Sequence, residues 1–240
     1  MNRRVFLGAS VSGIVGVTAG CLSDIIDDET TFQASLVRVS PDAVDETDYE
    51  HTRTEERVEH REYEDESYEE TSYVSEYVRE VEHSLEDLES SSVPAVVSVV
   101  STPTVVVAGE ELETLADRDP EVIVESVQDE YEDFSVENNV GGRAVEIDDL
   151  EVRVSFDTYA ATATVADDAD AEIDCVVDVV RFDAGEDSLV TVGIYPEDES
   201  LELSDEQDEV DTLLAGLEHG EDVDVDIDEE TEIDHTDDDE

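Results

Sequence analysis

Residues 92–109 read SVPAVVSVVSTPTVVVAG, a run with almost no polar break. Apolar side chains at successive positions predict a strand covered on both faces, and Pro103 marks a bulge or break within it. Two longer, more polar segments precede it, roughly Tyr49 to Tyr63 and Tyr68 to His83. In the second, Tyr73, Ser75, Tyr77, Arg79 and Val81 alternate with Val74, Glu76, Val78, Glu80 and Glu82. That period of two is a strand signature, and the EDES between the segments predicts a hairpin turn. FQASLVRV, from Phe32, predicts a first strand, stopped by Ser40-Pro41, where a short helical turn should start.

After the apolar run the period changes. In DPEVIVESVQDEYEDF, Asp119 is placed to cap and Pro120 to fill the first helical position. Ile123, Val124, Val127 and Tyr131 then share one helical face. Gly141-Gly142 predicts a turn into RAVEI. In EVRVSFDTYAATATV the apolar phase switches between Phe156 and Tyr159, which predicts a bulge or tight turn near Asp157. AEIDCVVDVVRF and SLVTVGIY flank DAGED, a hairpin loop. A last helix is predicted from Ser204, with Gln207 completing a capping box, Val210, Leu213, Leu214 and Leu217 as its stripe and Gly220 as its stop. Beyond Gly220 the chain is nearly pure acid and is read as a disordered tail over residues 220–240.

The sum is about eight strands, a mid-chain helix and a C-terminal helix packed on them. Short connections make the sheet mostly antiparallel, in a single α+β domain over residues 32–219.

Composition changes the expected environment. Asp and Glu total 73 against 11 basic residues, all arginine, for a net charge of -62 on 240 residues. In dilute buffer such a charge pushes a compact state apart. At 1 M salt the screening length is about 3 Å, and surface carboxylates scarcely sense one another. The chain thus has the composition of a protein that works in concentrated salt. Nucleic-acid binding is excluded as a class, because no Lys/Arg cluster exists to neutralise phosphates.

The opening, MNRRVFLGASVSGIVGVTAGCLSD, is of another kind. Val5 to Gly20 carries no charge and spans about 16 residues, short of the roughly 20 that cross a bilayer. Arg3 and Arg4 precede Phe6 and Leu7 as in twin-arginine export signals, and Thr18, Ala19 and Gly20 before Cys21 form a lipobox. Residues 1–20 are read as a removable twin-arginine lipoprotein signal peptide. Cys21 is the expected lipidation site, and residues 21–31 the tether. The protein is then expected on the extracellular face of the cell membrane, held there by lipid. Cys175 is left without a disulfide partner in an apolar strand, where a small buried residue is expected rather than a nucleophile.

The lipobox start, STPTVVVAGEEL, DPEVIVESVQDEYEDFSV, VGGRAVEI, LVTVGIYPED and DTLLAGLEHG, in that order, resemble a haloarchaeal lipoprotein family, the domain-of-unknown-function 6517 family. The likeness covers about Phe32 to Gly220 and implies no catalytic residues. A weaker likeness, in element order only, is to the PsbP and Mog1 type of fold, and implies no function.

Chemistry is hard to find by spacing. His51, His60, His83, His219 and His235 form no His-x-x-x-His pair and no Cys-His cluster, so no metal or other cofactor is expected. Asp222, Asp224, Asp226 and Asp228 lack the glycine and distal glutamate of a calcium loop. No nucleophile elbow or phosphate loop occurs. Tyr63, Tyr68, Tyr73 and Tyr77 suit a ligand-binding face, but sheet packing explains them better. The expected function is a non-enzymatic binding or interaction domain on the cell surface, its partner a small ligand or an envelope protein. An extracytoplasmic hydrolase with a hidden carboxylate site and an envelope assembly factor stay open as alternatives.

Overall fold

The computed structural model describes residues 30–64, 66–82, 92–128, 130–165, 168–197, 203–220 and 222–234. The predicted signal peptide, lipobox and most of the tether lie outside these residues, as do His83 and His235.

The first half of the chain builds β1 (Thr30–Gln33), β2 (Val37–Val39), α1 (Pro41–Asp45), β3 (Glu50–Tyr63), β4 (Glu66–Glu82) and β5 (Ser92–Pro103). Two-residue strands β6 (Val106–Val107) and β7 (Glu110–Glu111) follow, then α2 (Pro120–Val127). The second half holds β8 (Tyr131–Ile147), β9 (Val152–Val165), β10 (Asp168–Ala184), β11 (Asp187–Pro196), α3 (Leu203–Ala215), β12 (Leu217–His219) and β13 (Glu229–Asp234). The main sheet has the order β13-β3-β4-β5-β11-β10-β9-β8, with β1 pairing onto β4. All its pairings are antiparallel except β1 with β4 and β13 with β3.

The apolar run forms the central strand β5, buried on both faces from Val93 to Pro103. It ends at Pro103, whose ring cannot donate to a ladder. Both hairpins form where expected. β3 pairs with β4 across the acidic turn, and β10 with β11 across a two-residue turn in which Gly185 takes φ 75°. α1 starts at Pro41, capped by the Ser40 hydroxyl, which accepts from the Ala43 amide.

Two cores lie on opposite faces of this sheet. One gathers Val97, Val99, Phe156, Val176, Val180 and Tyr195 beneath α1, β2 and the Val210, Leu213 and Leu214 stripe of α3. The other gathers Val96, Val100, Cys175, Val177, Val190 and Ile194 beneath Ile123, Val124 and Val127 of α2.

The structure redraws six sequence expectations. The strand foreseen from Phe32 is split: β1 extends the main sheet, while β2 leaves it to pair with β12. The linker between them keeps its backbone satisfied, since Ala34 N–H reaches the Thr71 carbonyl and Ser35 N–H the Asp187 carboxylate. α2 ends at Val127 instead of continuing to Phe134. The Gln128 amide group clasps Tyr131, donating to its carbonyl and accepting from its N–H, and so diverts the chain into β8.

Gly141-Gly142 makes no turn. Both lie within β8, where a Cβ on Gly142 would stand 2.6 Å from the Phe156 carbonyl oxygen. The expected irregularity near Asp157 exists, but β9 itself runs without a break. The extra residue sits opposite, in β8, between Asn139 and Gly141. The apolar phase of β9 switches because its cover switches: Val154 and Phe156 face the α3 core, and Ala161 and Ala163 the α2 core. Finally, α3 begins at Leu203, stops before Gly216, and leaves buried Leu217 to β12. Gly216 is needed there, because a Cβ would lie 2.3 Å from the Ala43 side chain. Past Gly220, residues 229–234 form the strand β13 against β3.

Candidate functional site

A cleft of about 560 Å³ opens where β12, the β10–β11 turn and the β1–β2 linker meet. Its floor includes Leu150, Val152 and Phe182, and its polar wall Gln33, Ser35, Asp187 and His219. Asp187 is the first residue of β11, set there by the two-residue turn, and His219 is the last of β12, held by its pairing with Val37.

These two side chains meet. His219 Nε2 lies 3.0 Å from Asp187 Oδ2, and both are more than nine-tenths buried. The same oxygen accepts the Ser35 N–H at 2.9 Å. Burial alone would raise the Asp187 carboxyl, but the hydrogen bonds from His219 and Ser35 outweigh it and hold the group below its ordinary value. Ser101 Oγ, from β5, lies 3.2 Å from the same ring nitrogen. Asp187 and His219 line the cleft and the buried Ser101 stands behind them, residues up to 118 apart in sequence. No spacing rule links them, and His219 had only its place in LEHG to draw notice.

The geometry of the three is not that of a nucleophilic triad. A triad histidine receives the serine proton on one nitrogen and meets its carboxylate with the other. Here one nitrogen serves both, and Ser101 is fully buried. A ring N–H donating to Asp187 has no lone pair on that atom for the serine proton. The arrangement fixes one wall of the cleft.

Two other charged clusters are locked within the fold. Asp178, fully buried, accepts from Arg143 Nη1 at 2.5 Å, from the Thr158 hydroxyl at 2.6 Å and from the Tyr195 hydroxyl at 2.5 Å. Arg143 also donates to Asp211 at 2.6 Å and lies 4.1 Å over the Phe156 ring. Burial first, then the Asp178 charge, push the Tyr195 hydroxyl far above its usual value. Arg79 pairs with Glu206 and stacks on Tyr49, tying α3 to β4.

The tyrosines belong to the packing. Tyr68, Tyr73 and Tyr77 are buried, and Tyr77, pushed up to about 12 mainly by burial, accepts the Val39 N–H. Cys175 is buried and free, its thiol raised by that burial. Among the described residues no group of His, Cys, Asp or Glu is arranged to hold a metal, and no helix is long and apolar enough to cross a membrane. Arg3, Arg4, Phe6, Leu7, Thr18, Ala19, Gly20 and Cys21 precede the described residues.

No curated protein and no solved structure matches the chain. One family model does, described as "Domain of unknown function (DUF6517)" and matching residues 36–218, from the linker before β2 to the middle of β12. That span takes in both cores and ends one residue before His219, and by it the chain belongs to the DUF6517 family.

Proposed function

We propose that this is a lipid-anchored binding domain on the outer face of a halophile's cell membrane, with the cleft at His219 as its ligand site and no catalytic role. The observation that carries the binding reading is the shared His219 nitrogen. It leaves Ser101 without a base and gives the cleft a fixed polar wall above an apolar floor, the make-up of a small-molecule site. The twin-arginine signal and lipobox support export and anchoring, and the net charge of -62 supports a saline environment. The PsbP and Mog1 likeness takes no part in this reading.

The anchor and the cleft are close along the chain. Eleven residues lie between Cys21 and Gln33, which limits their separation to roughly 40 Å even if fully extended. The cleft therefore works beside the membrane or an envelope neighbour, not far out in solvent.

Cys21→Ser tests the anchor: the variant should lose its lipid and leave the membrane fraction. Retention there at the same processed size refutes it. Replacing Arg3 and Arg4 together by Lys should block export. For the cleft, a hydrolase substrate panel on the folded protein in molar KCl should show no turnover. Robust turnover abolished by Asp187→Asn would replace binding with catalysis.

A further inference from the structure

Strand β13 is a weakly held strand on a strongly repelling edge. It lies parallel to β3 in the register Glu229↔Glu55, Glu230↔Glu56, so two glutamates stand directly beside two others. Neighbouring strands are about 4.8 Å apart, and like charges placed opposite each other destabilise a pair. The cations nearby are already engaged. Arg57 is paired with Glu55, Arg61 with Glu59 and Glu70, and Arg53, 3.7 Å from Glu229, is shared with Glu76. Apolar burial adds little, since Ile233 is only half-buried and Ile227 is exposed. The strand is held by its backbone ladder, the Arg53–Glu229 ion pair, the Thr231 hydroxyl on Glu55 at 2.6 Å, and a two-way clasp in which Asp228 N–H reaches the Thr54 carbonyl and Thr54 N–H the Asp228 carboxylate.

The segment also lies beyond the family match, which ends at residue 218. Both cores are complete without it: no residue after Leu217 contributes to either. On its way to β3 it forms one wall of a second cavity, about 360 Å³, through Asp224, Val225 and Asp226. Opposite stand Arg38, whose guanidinium donates to the Asp224 carbonyl, and Tyr77.

We infer that residues 222–234 are a salt-dependent strap, docked along β3 at molar ionic strength and released as salt falls, while the rest of the sheet stays folded. The screening length is about 3 Å at 1 M, shorter than the strand spacing, and about 10 Å at 0.1 M, twice that spacing. Repulsion between facing glutamates is hidden in the first case and extends across whole rows in the second. Gly220, at φ 131°, is the attachment point, and tethering keeps the released strand at high local concentration, so docking is reversible. Release uncovers the β3 edge and opens the cavity beside Arg38. This inference is independent of the cleft at His219.

The test is hydrogen–deuterium exchange with peptide-level mass spectrometry on the full chain, across a KCl series from 3 M to 0.2 M. Peptides covering Glu229–Asp234 should be protected in 3 M KCl and exchange at least tenfold faster below about 0.5 M, at concentrations where β5 and β11 remain protected. Loss of protection in β13 only together with β5 and β11 overturns the inference, as does absence of protection at every salt. Glu229→Gln with Glu230→Gln removes the facing charges without touching either core. Its release midpoint should fall at least twofold in KCl concentration, and an unchanged midpoint overturns the electrostatic basis.

Discussion

Asp178→Ala should be among the most damaging single substitutions in the described domain. The carboxylate is fully buried and accepts three hydrogen bonds, from Arg143, Thr158 and Tyr195. Its removal takes an acceptor from the Thr158 and Tyr195 hydroxyls and strands a guanidinium whose Nη2 already has no partner. Breaking a buried charge pair from one side costs about 3–5 kcal/mol, a large part of a total stability of about 5–15 kcal/mol. Asp211 still faces Arg143 and the Phe156 ring still lies under it, which sets the expectation near the lower end. With a urea slope of about 2–3 kcal/mol/M, the unfolding midpoint should fall by roughly 1–2 M. The assay is circular dichroism through a urea titration at constant molar KCl. Removing both partners, as Asp178→Ala with Arg143→Met, should recover part of the loss because no charge is left stranded. A single-variant cost under about 1 kcal/mol, or a double variant as costly as the sum of its parts, refutes the reasoning.

Gly216→Ala places a Cβ 2.3 Å from that of Ala43, and should destabilise the domain by about 1–3 kcal/mol in the same titration, with Ala43→Gly restoring part of it. Asp187, held below its ordinary value in the fold, binds fewer protons there than in the unfolded chain, so its contribution to stability is present above about pH 5 and is lost as pH falls below about 4. The stability gap between wild type and Asp187→Asn should therefore shrink over that descent; a gap independent of pH would disprove the linkage.

Elements stabilised by their own sequence were legible. The valine run declared a central strand, and Gly185 between two apolar segments declared a hairpin. α2 was readable only at its start, because Tyr131 falls four residues after Val127 and mimics the next helical contact, while its diversion by Gln128 is a side-chain event with no periodic trace. Gly141-Gly142 looked like a turn because glycine pairs commonly are one; here Gly142 admits the Phe156 carbonyl, a contact made by a strand the local sequence does not mention. The cleft was hidden for the same reason. Gln33, Ser35, Asp187 and His219 come from β1, the linker after it, β11 and β12, and each alone is unremarkable in a chain with 73 acidic residues.

The division of the interior into two cores sets how substitutions combine. On β5, Val96 packs toward α2 and Val97 toward α3, although they are adjacent in sequence. The sheet between them keeps a void on one side from being filled from the other. Epistasis in this protein should therefore follow the faces of the sheet and not distance along the chain: Val96→Ala and Val97→Ala combine almost additively, while Val97→Ala is coupled to losses in the α3 stripe nearly 120 residues away. In evolutionary terms each face drifts as its own unit, and strands such as β5, β9, β10 and β11, which belong to both, are where the two histories constrain each other.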